Sequence, residues 1–255
     1  MRVVIKVGTS TLTHGNGNIN IRRIENLCKV MSDLKNSGLE LILVSSGAIA
    51  MGVGKLGLKS KPSDVPSKQA AAAIGQCELM YTYDKLFQEY NHTVAQILMT
   101  GADFEHEERF GNFKNTLDRL LELGVLPIIN ENDTIATAEI KVGDNDTLSA
   151  ITAVGANADL LVVLTDINGL YTADPRCDEN ATLIPEVKEI NDYILNLAGS
   201  KGSALATGGM ITKIHAAQIC MDAGKDMIIA NGSDPSILYS IFEGESVGTR
   251  FIGHK

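Results

Sequence analysis

The sequence predicts an α/β protein with a largely parallel central sheet. Short apolar runs alternate along the chain with longer segments of helical character, as in strands connected by helices. Most of the short runs are continuously apolar, which favours strands that are buried on both faces. The predicted strands are residues 2–7, 41–44, 94–99, 125–129, 160–164 and 227–230, and the predicted helices are residues 21–36, 68–89, 110–123, 146–157 and 211–223.

The segments between these elements indicate where each one ends. The first strand runs into Gly-Thr-Ser and the second into Ser-Ser-Gly. Helix 68–89 begins alanine-rich and then becomes amphipathic. Residues 131–146 lack helical periodicity, and we expect a hairpin within residues 136–142 that protrudes over a site. The last segment, residues 246–251, has the character of a strand. In such a sheet, ligands bind where strands end and helices begin.

Composition limits the classes of function. The chain has 255 residues, which suits one large α/β domain or two modest ones. A net charge of −9 and an aromatic content of 5% argue against a nucleic-acid partner, and the acidic balance argues against an anionic membrane. The N-terminal apolar run is too short for a secretory signal. The longest uncharged stretch, between Glu40 and Lys55, is shorter than the about 20 apolar residues of a membrane span. We therefore expect a cytoplasmic protein.

The cysteines do not indicate a metal site. Cys28, Cys77, Cys177 and Cys220 include no pair at CxxC spacing, and the histidines are distant in sequence. A disulfide framework is equally unsupported. We expect reduced cysteines that mostly lie in the core, and we assign no metal-binding residues.

Two loops that directly follow strands are candidates for phosphate binding. Lys6 ends the first strand, and Gly8 lies in a run of small residues whose backbone N–H groups can turn toward an anion. A lysine at a strand end is also commonly just solvated. Ser46 and Gly47 follow the second strand and open a helix, a geometry that binds anions at the positive end of the helix dipole. An ordinary helix cap is the alternative, since serine is a favoured capping residue.

Polar side chains crowd the ends of two further strands. Asn130–Asp133 follows the fourth strand, and Gly143–Asp146 precedes a helix. Helix capping explains one such aspartate, but it does not explain two clusters within 17 residues. The spacing also departs from that of an EF-hand calcium loop. Thr165 and Asp166 end the fifth strand, where either a nucleotide or an ordinary turn would account for them.

Two glycine-rich segments are candidates for phosphate binding, and the sequence favours the second of them along the chain. Thr207–Lys213 joins a glycine-rich loop to a helix, and Lys213 in the first turn opposes the helix dipole unless an anion binds there. The GxGxxG pattern of Gly52–Gly57 is separated from the preceding strand by several residues, whereas a dinucleotide site needs it directly after a strand. We expect only a helix end and a loop at that pattern.

Five segments together resemble the amino-acid kinase family. They are IKVGTS (5–10), VSSGAIAMG (44–52), INENDTIATAEIKVGDNDTLSA (129–150), LTDINGLYTADPR (164–176) and ATGGMITK (206–213), in the order and spacing of the family over nearly the whole chain. Ala206 stands where we expect a glycine. The resemblance implies a three-layer α/β/α sandwich with a mostly parallel sheet. It also implies a single domain over residues 1–255, without the C-terminal PUA module that many related enzymes carry.

The resemblance is strongest to family members that phosphorylate glutamate. It implies transfer of the γ-phosphoryl group of ATP, with Mg²⁺, to the γ-carboxylate of L-glutamate in proline biosynthesis. It further implies proline as a feedback inhibitor, acting through residues 131–142, a homo-oligomer, and transient contact with the downstream reductase. A kinase for aspartate or N-acetylglutamate remains an alternative, although KVGTS differs from the KFGGTS-like opening of aspartokinases. A non-catalytic sensor of ATP or an amino acid is the alternative from another class.

The resemblance also implies roles for individual residues. Lys6 and Lys213 flank the transferring phosphoryl group, and Asp146 orients them. The implied glutamate-binding residues are Ser46, Gly47, Asn130, Asp133 and Asn145. The implied ATP-binding residues are Lys6, Gly8, Thr165, Asp166, Thr207, Gly208, Gly209, Met210, Ile211, Thr212 and Lys213. A free glutamate side chain, with an ordinary pKa of about 4.3, is already ionised at neutral pH, so the reaction needs no general base.

Overall fold

The computed structural model describes residues 1–136, 145–199 and 209–254 and confirms the predicted α/β fold class. The strands are β1 Arg2–Val7, β2 Glu40–Val44, β3 Val94–Met99, β4 Leu126–Glu131, β5 Leu160–Thr165, β6 Glu186–Val187, β7 Asp226–Asn231 and β8 Thr249–Phe251. The helices are α1 Thr9–Leu12, α2 Ile21–Asn36, α3 Ala48–Lys55, α4 Val65–Gln88, α5 Gly101–Glu105, α6 Glu107–Glu122, α7 Asn145–Gly155, α8 Asp192–Gly199, α9 Met210–Asp222 and α10 Ile237–Phe242.

The eight strands form one sheet in the order β3-β4-β2-β1-β5-β7-β8-β6. Every neighbouring pair is parallel except β7 and β8, which are antiparallel. Parallel strands need crossover connections, and the helices supply them. The four adjacent strands β4, β2, β1 and β5 are parallel and therefore end at the same edge, which is where the predicted loops lie.

Two hydrophobic cores lie on opposite faces of this sheet and make it a three-layer sandwich. Alternate residues of each strand face opposite sides, so Val4 packs in one core and its neighbours Val3 and Ile5 in the other. The first core is covered by α6, α7, α8 and α9, and the second by α1, α2, α3, α4 and α10. Because both faces are covered, the central strands are apolar over most of their length.

Helix α4 begins earlier than the sequence pattern predicts. Its first residue is Val65 rather than residue 68, because the Asp64 side chain accepts a hydrogen bond of 2.9 Å from the backbone N–H of Ser67. Pro66 lies in the first turn, where a missing N–H costs nothing. The predicted hairpin at residues 136–142 falls almost wholly outside the described residues.

Two of the four cysteines lie in the core. Cys28 and Cys220 are buried, as predicted, whereas Cys77 and Cys177 are exposed, and none of the four is in a disulfide. Within the described ranges, no helix has both the length and the apolar character needed to cross a bilayer.

Helices α3 and α4 touch backbone to backbone through glycines. A Cβ atom added at Gly52 would lie 1.8 Å from the carbonyl oxygen of Ala71, and one added at Gly75 would lie 1.8 Å from that of Ala48. The first two glycines of the GxGxxG pattern, Gly52 and Gly54, thus lie inside α3, where they permit close packing. This contact fixes the loop that precedes α3 against α4.

We expect Gly75→Ala to destabilise the protein by about 1–3 kcal/mol, because the added methyl group must push α3 and α4 apart. Gly111→Ala in α6 is the matched control, since a Cβ there meets nothing within 4 Å. That control should gain about 0.5–1 kcal/mol from helix propensity. Urea unfolding of both variants measures the difference, and similar midpoints would contradict the packing argument.

Candidate active site

The carboxyl ends of four adjacent strands bring most of the predicted residues together. In the sheet register, Lys6 of β1 pairs with Val44 of β2, and Val44 pairs with Ile129 of β4. On the other side of β1, Val7 pairs with Leu164 of β5. The residues that end or follow these strands therefore lie together at a single sheet edge, which is where open α/β sheets have their ligand cleft. They are Gly8, Ser46, Gly47, Asn130, Asp133, Thr165 and Asp166.

A buried carboxylate lies between two buried ammonium groups at this edge. Asp146, in the first turn of α7, is fully buried. Its Oδ1 lies 2.7 Å from Nζ of Lys6, and its Oδ2 lies 3.1 Å from Nζ of Lys213. The hydroxyl of Thr212 lies 2.8 Å from the same Oδ2. One aspartate thus holds lysines from β1 and α9 at the same place.

The two lysines determine the charge of Asp146. Burial by itself would raise the pKa of this carboxyl group, but the ammonium groups of Lys6 and Lys213 and the hydrogen bond from Thr212 outweigh it and lower the pKa to about 2. Asp146 is therefore ionised at neutral pH. A carboxylate with so low a pKa is a poor general base, so its chemical use is to hold the two cations in position.

A network of side-chain amides adjoins this ionic group. Nδ2 of Asn145 lies 2.6 Å from the carbonyl oxygen of Ser45, 2.8 Å from the hydroxyl of Ser46 and 3.0 Å from Oδ1 of Asn130. The amide nitrogen has two hydrogens and therefore donates to two of these three oxygens at a time. The structure thus brings together Ser46 from the loop after β2, Asn130 from the end of β4 and Asn145 from the start of α7.

Two glycines let the backbone approach the cleft closely. Gly47 directly precedes α3 as its N-cap and has φ of +96°, a left-handed conformation that favours glycine. A Cβ atom at Gly8 would lie 3.9 Å from Nζ of Lys6, so the absent side chain leaves space beside the ammonium group. Asp133 lies in the turn after β4, partly buried, on the same edge.

The residues predicted for ATP lie on the other side of Lys6. Thr165 is buried at the end of β5 and donates to the carboxylate of the exposed Asp166 at 3.1 Å. Gly209 precedes α9, whose N-terminal turn contains Met210, Ile211 and Thr212 and faces the ionic group through Thr212. Thr207 and Gly208 lie outside the described residues.

The sequence analysis missed two buried polar residues of α4 that support the site. Tyr83 shares a hydrogen bond of 3.0 Å with the hydroxyl of Ser45, and burial raises the pKa of this tyrosine, so its hydroxyl keeps its proton. Gln76 accepts a hydrogen bond of 2.8 Å from Asn130. Both lie on the buried face of α4 with Ala72 and Leu79. A polar residue within that helical stripe is the signal that could have found them.

Comparisons with known sequences show to which family a chain with this fold and this site belongs. The model of the amino acid kinase family matches residues 1–231. The chain is 52% identical to the glutamate 5-kinase of Clostridium perfringens (strain 13 / Type A), over 100% of this chain and 96% of that protein. It is 53% identical to the glutamate 5-kinase of Carboxydothermus hydrogenoformans, over 100% of this chain and 68% of that protein.

Solved structures share the fold. Carbamate kinase from Giardia lamblia bound to AMP-PNP superposes with a TM-score of 0.68 at 19% identity, covering 99% of this chain and 98% of that one. Isopentenyl phosphate kinase from T. acidophilum gives 0.66 at 17% identity, covering 98% of this chain and 100% of that one. The chain belongs to the amino acid kinase family and, within it, to the glutamate 5-kinases.

Asp146→Asn tests the buried ionic group. Because the pKa of Asp146 is about 2 in the folded protein and about 3.9 in an unfolded chain, its charge stabilises the fold above about pH 4, and this contribution is lost as the pH falls toward 2. We expect the variant to be less stable than the wild type by about 3 kcal/mol at pH 7 and the gap to shrink below pH 4. Urea unfolding at several pH values measures it, and a gap independent of pH would contradict the assignment.

Proposed function

We propose that this protein transfers the γ-phosphoryl group of ATP to the γ-carboxylate of L-glutamate, the first step of proline biosynthesis. The observation that carries the proposal is the Lys6–Asp146–Lys213 group, which lies beside an amide-lined cleft. The identity to two glutamate 5-kinases over the whole chain supports the same substrates.

The two lysines stabilise the charge that moves during the reaction. Phosphoryl transfer needs positioning and charge neutralisation more than covalent help from the protein. Lys6 approaches from β1 and Lys213 from α9, so their ammonium groups can reach the migrating phosphoryl group from two sides. Asp146 fixes both before substrate arrives, which avoids reorganisation during the reaction. Since the acceptor carboxylate is already ionised at neutral pH, no residue has to remove a proton.

The acceptor cleft matches a free amino acid. Asp133 supplies a negative charge for an α-ammonium group. Ser46 and Gly47 supply a hydroxyl and a backbone N–H for the carboxylate oxygens, and Asn130 supplies the N–H that it does not donate to Gln76. The Nδ2 hydrogens of Asn145 are donated within the protein, so Asn145 holds Ser46 and Asn130 in place and offers its Oδ1 to the ammonium group. An N-acetylated acceptor has no ammonium group and would not need Asp133.

ATP binds on the side of β5 and α9. The N-terminal turn of α9, which begins after Gly209, presents backbone N–H groups and the positive end of a helix dipole to the phosphates. Gly8, Thr165, Asp166 and the segment 207–213 complete the proposed ATP site. Mg²⁺ enters with ATP as part of the substrate. The described residues contain no group of three or more His, Cys, Asp or Glu side chains that could hold a metal.

Four further properties belong to this proposal. Proline acts as a feedback inhibitor in the acceptor region. The protein forms a homo-oligomer and acts in the cytoplasm. The acyl phosphate product is reactive, and a reductase that consumes it contacts this protein transiently.

A coupled assay of ADP release with glutamate, aspartate and N-acetylglutamate as acceptors tests the substrate. We expect turnover with glutamate to exceed that with either alternative by orders of magnitude. Preference for another acceptor would reassign the enzyme within its family. Calorimetry that shows binding of ATP and glutamate without turnover would instead favour a sensor.

Lys213→Ala and Lys6→Ala should each lower kcat by about 100-fold or more, because each removes a cation from the transition state. Lys213→Met keeps the apolar stem of the side chain, so a similar fall in kcat in this variant would not be caused by a cavity. Lys29→Ala, on the exposed face of α2, is the matched control and should leave kcat unchanged. Wild-type turnover in either alanine variant would overturn the mechanism.

Asp133→Ala should raise the KM for glutamate by about tenfold or more and leave the KM for ATP unchanged, because it removes the counter-charge of the α-ammonium group. Steady-state kinetics with each substrate varied in turn separates the two constants. An equal rise in both KM values would show that Asp133 has a general structural role rather than a role in acceptor binding.

A further inference from the structure

Gln76 is a buried polar residue that the mechanism above does not use. It lies in the middle of α4, and only 8% of its surface is exposed. The neighbouring Gly75 lies directly against the backbone of α3, where an added Cβ would come within 1.8 Å of the carbonyl oxygen of Ala48. The position of the Gln76 side chain is therefore determined by rigid helix packing, as a binding residue requires.

A chain of hydrogen bonds determines which way the Gln76 amide points. The backbone N–H of Glu131 can only donate, and it donates to Oδ1 of Asn130 at 2.9 Å. Nδ2 of Asn130 is then the donor to Gln76 at 2.8 Å, so the accepting atom is Oε1 of Gln76. The orientation of both amides thus follows from a backbone group whose direction is certain. It leaves Nε2 of Gln76 as the donor at the end of this chain of hydrogen bonds.

This Nε2 is a buried donor without a hydrogen-bond acceptor among the residues that the structure describes. Buried donors are nearly always paired, and an exception calls for a specific explanation. The amide belongs to the network that lines the acceptor cleft, since Asn130 also contacts Asn145, which contacts Ser46. A ligand in that cleft could supply the missing acceptor.

We propose that Gln76 is an acceptor-binding residue, whose Nε2 donates a hydrogen bond to a carboxylate oxygen of the bound amino acid. This rests on the proposed function, which places an amino acid in this cleft. A carboxylate offers lone pairs to the N–H group, whereas an ammonium group offers only further donors. Gln76 therefore selects the orientation in which a carboxylate faces α4 and the ammonium group faces Asp133.

Gln76→Glu separates binding of the substrate from support of Asn130. The glutamate side chain has the same shape and keeps an oxygen that can accept from Asn130, but it replaces the Nε2 donor with a second acceptor. We expect the KM for glutamate to rise by about tenfold or more, with the KM for ATP unchanged. Gln76→Leu, which removes both ends of the amide, should show at least as large a rise.

Gln88→Glu is the matched control, because it makes the same change at an exposed position of α4 and should leave all constants unchanged. Thermal unfolding of each variant shows whether the fold is intact. A Gln76→Glu enzyme with wild-type KM for glutamate would overturn the proposal, and if Gln76→Leu alone were impaired, Gln76 would serve only to hold Asn130.

Failure of the proposed function would look different. If wild-type enzyme preferred another carboxylate acceptor, glutamate would not be the substrate. Comparing the KM for that acceptor between the wild type and Gln76→Glu would then decide the role of Gln76. If wild-type enzyme turned over no acceptor, calorimetric titration with glutamate would decide it through the affinities of the wild type and Gln76→Glu.

Discussion

The placement of one buried carboxylate between two lysines is the constraint on which the rest of the site depends. Asp146 holds Lys6 at 2.7 Å and Lys213 at 3.1 Å, and all three side chains are almost fully buried. Burying charge is costly unless partners meet in good geometry. The sheet and the two helices α7 and α9 therefore have to be placed within a fraction of an ångström, which their packing in a shared core provides.

Helix α4 gives the acceptor side of the cleft a comparable rigidity. It contacts α3 through glycines, and it reaches the loop after β2 through Tyr83 and the end of β4 through Gln76. The ends of β2 and β4, where we propose that the acceptor binds, are thus supported by a helix of 24 residues. Such support keeps polar groups oriented before the ligand arrives, which lowers the entropy cost of binding.

Most of the fold follows from local patterns in the sequence, and the exceptions have a common physical cause. Strands such as β1 and β5 can be predicted from the sequence because burial on both faces requires apolar runs. Helix α2 can be predicted because its apolar residues repeat at helical spacing. The elements that were not predicted, α1, α5, α8, α10 and β6, have two to eight residues. So few residues cannot establish a period, and β6 exists only because it pairs with β8.

For the site, the sequence by itself determined which segments at the strand ends contain lysines, glycines and amides, because these are local features. Short motifs in the sequence indicated Lys6, Lys213 and Asp146, and these motifs resemble those of the amino-acid kinase family. Only the tertiary structure decided which atoms meet: the carboxylate of Asp146 with both lysines, and the amide of Gln76 with Asn130. The physical reason is that these contacts join residues far apart in sequence. The type of a residue does not determine which distant group its side chain will contact.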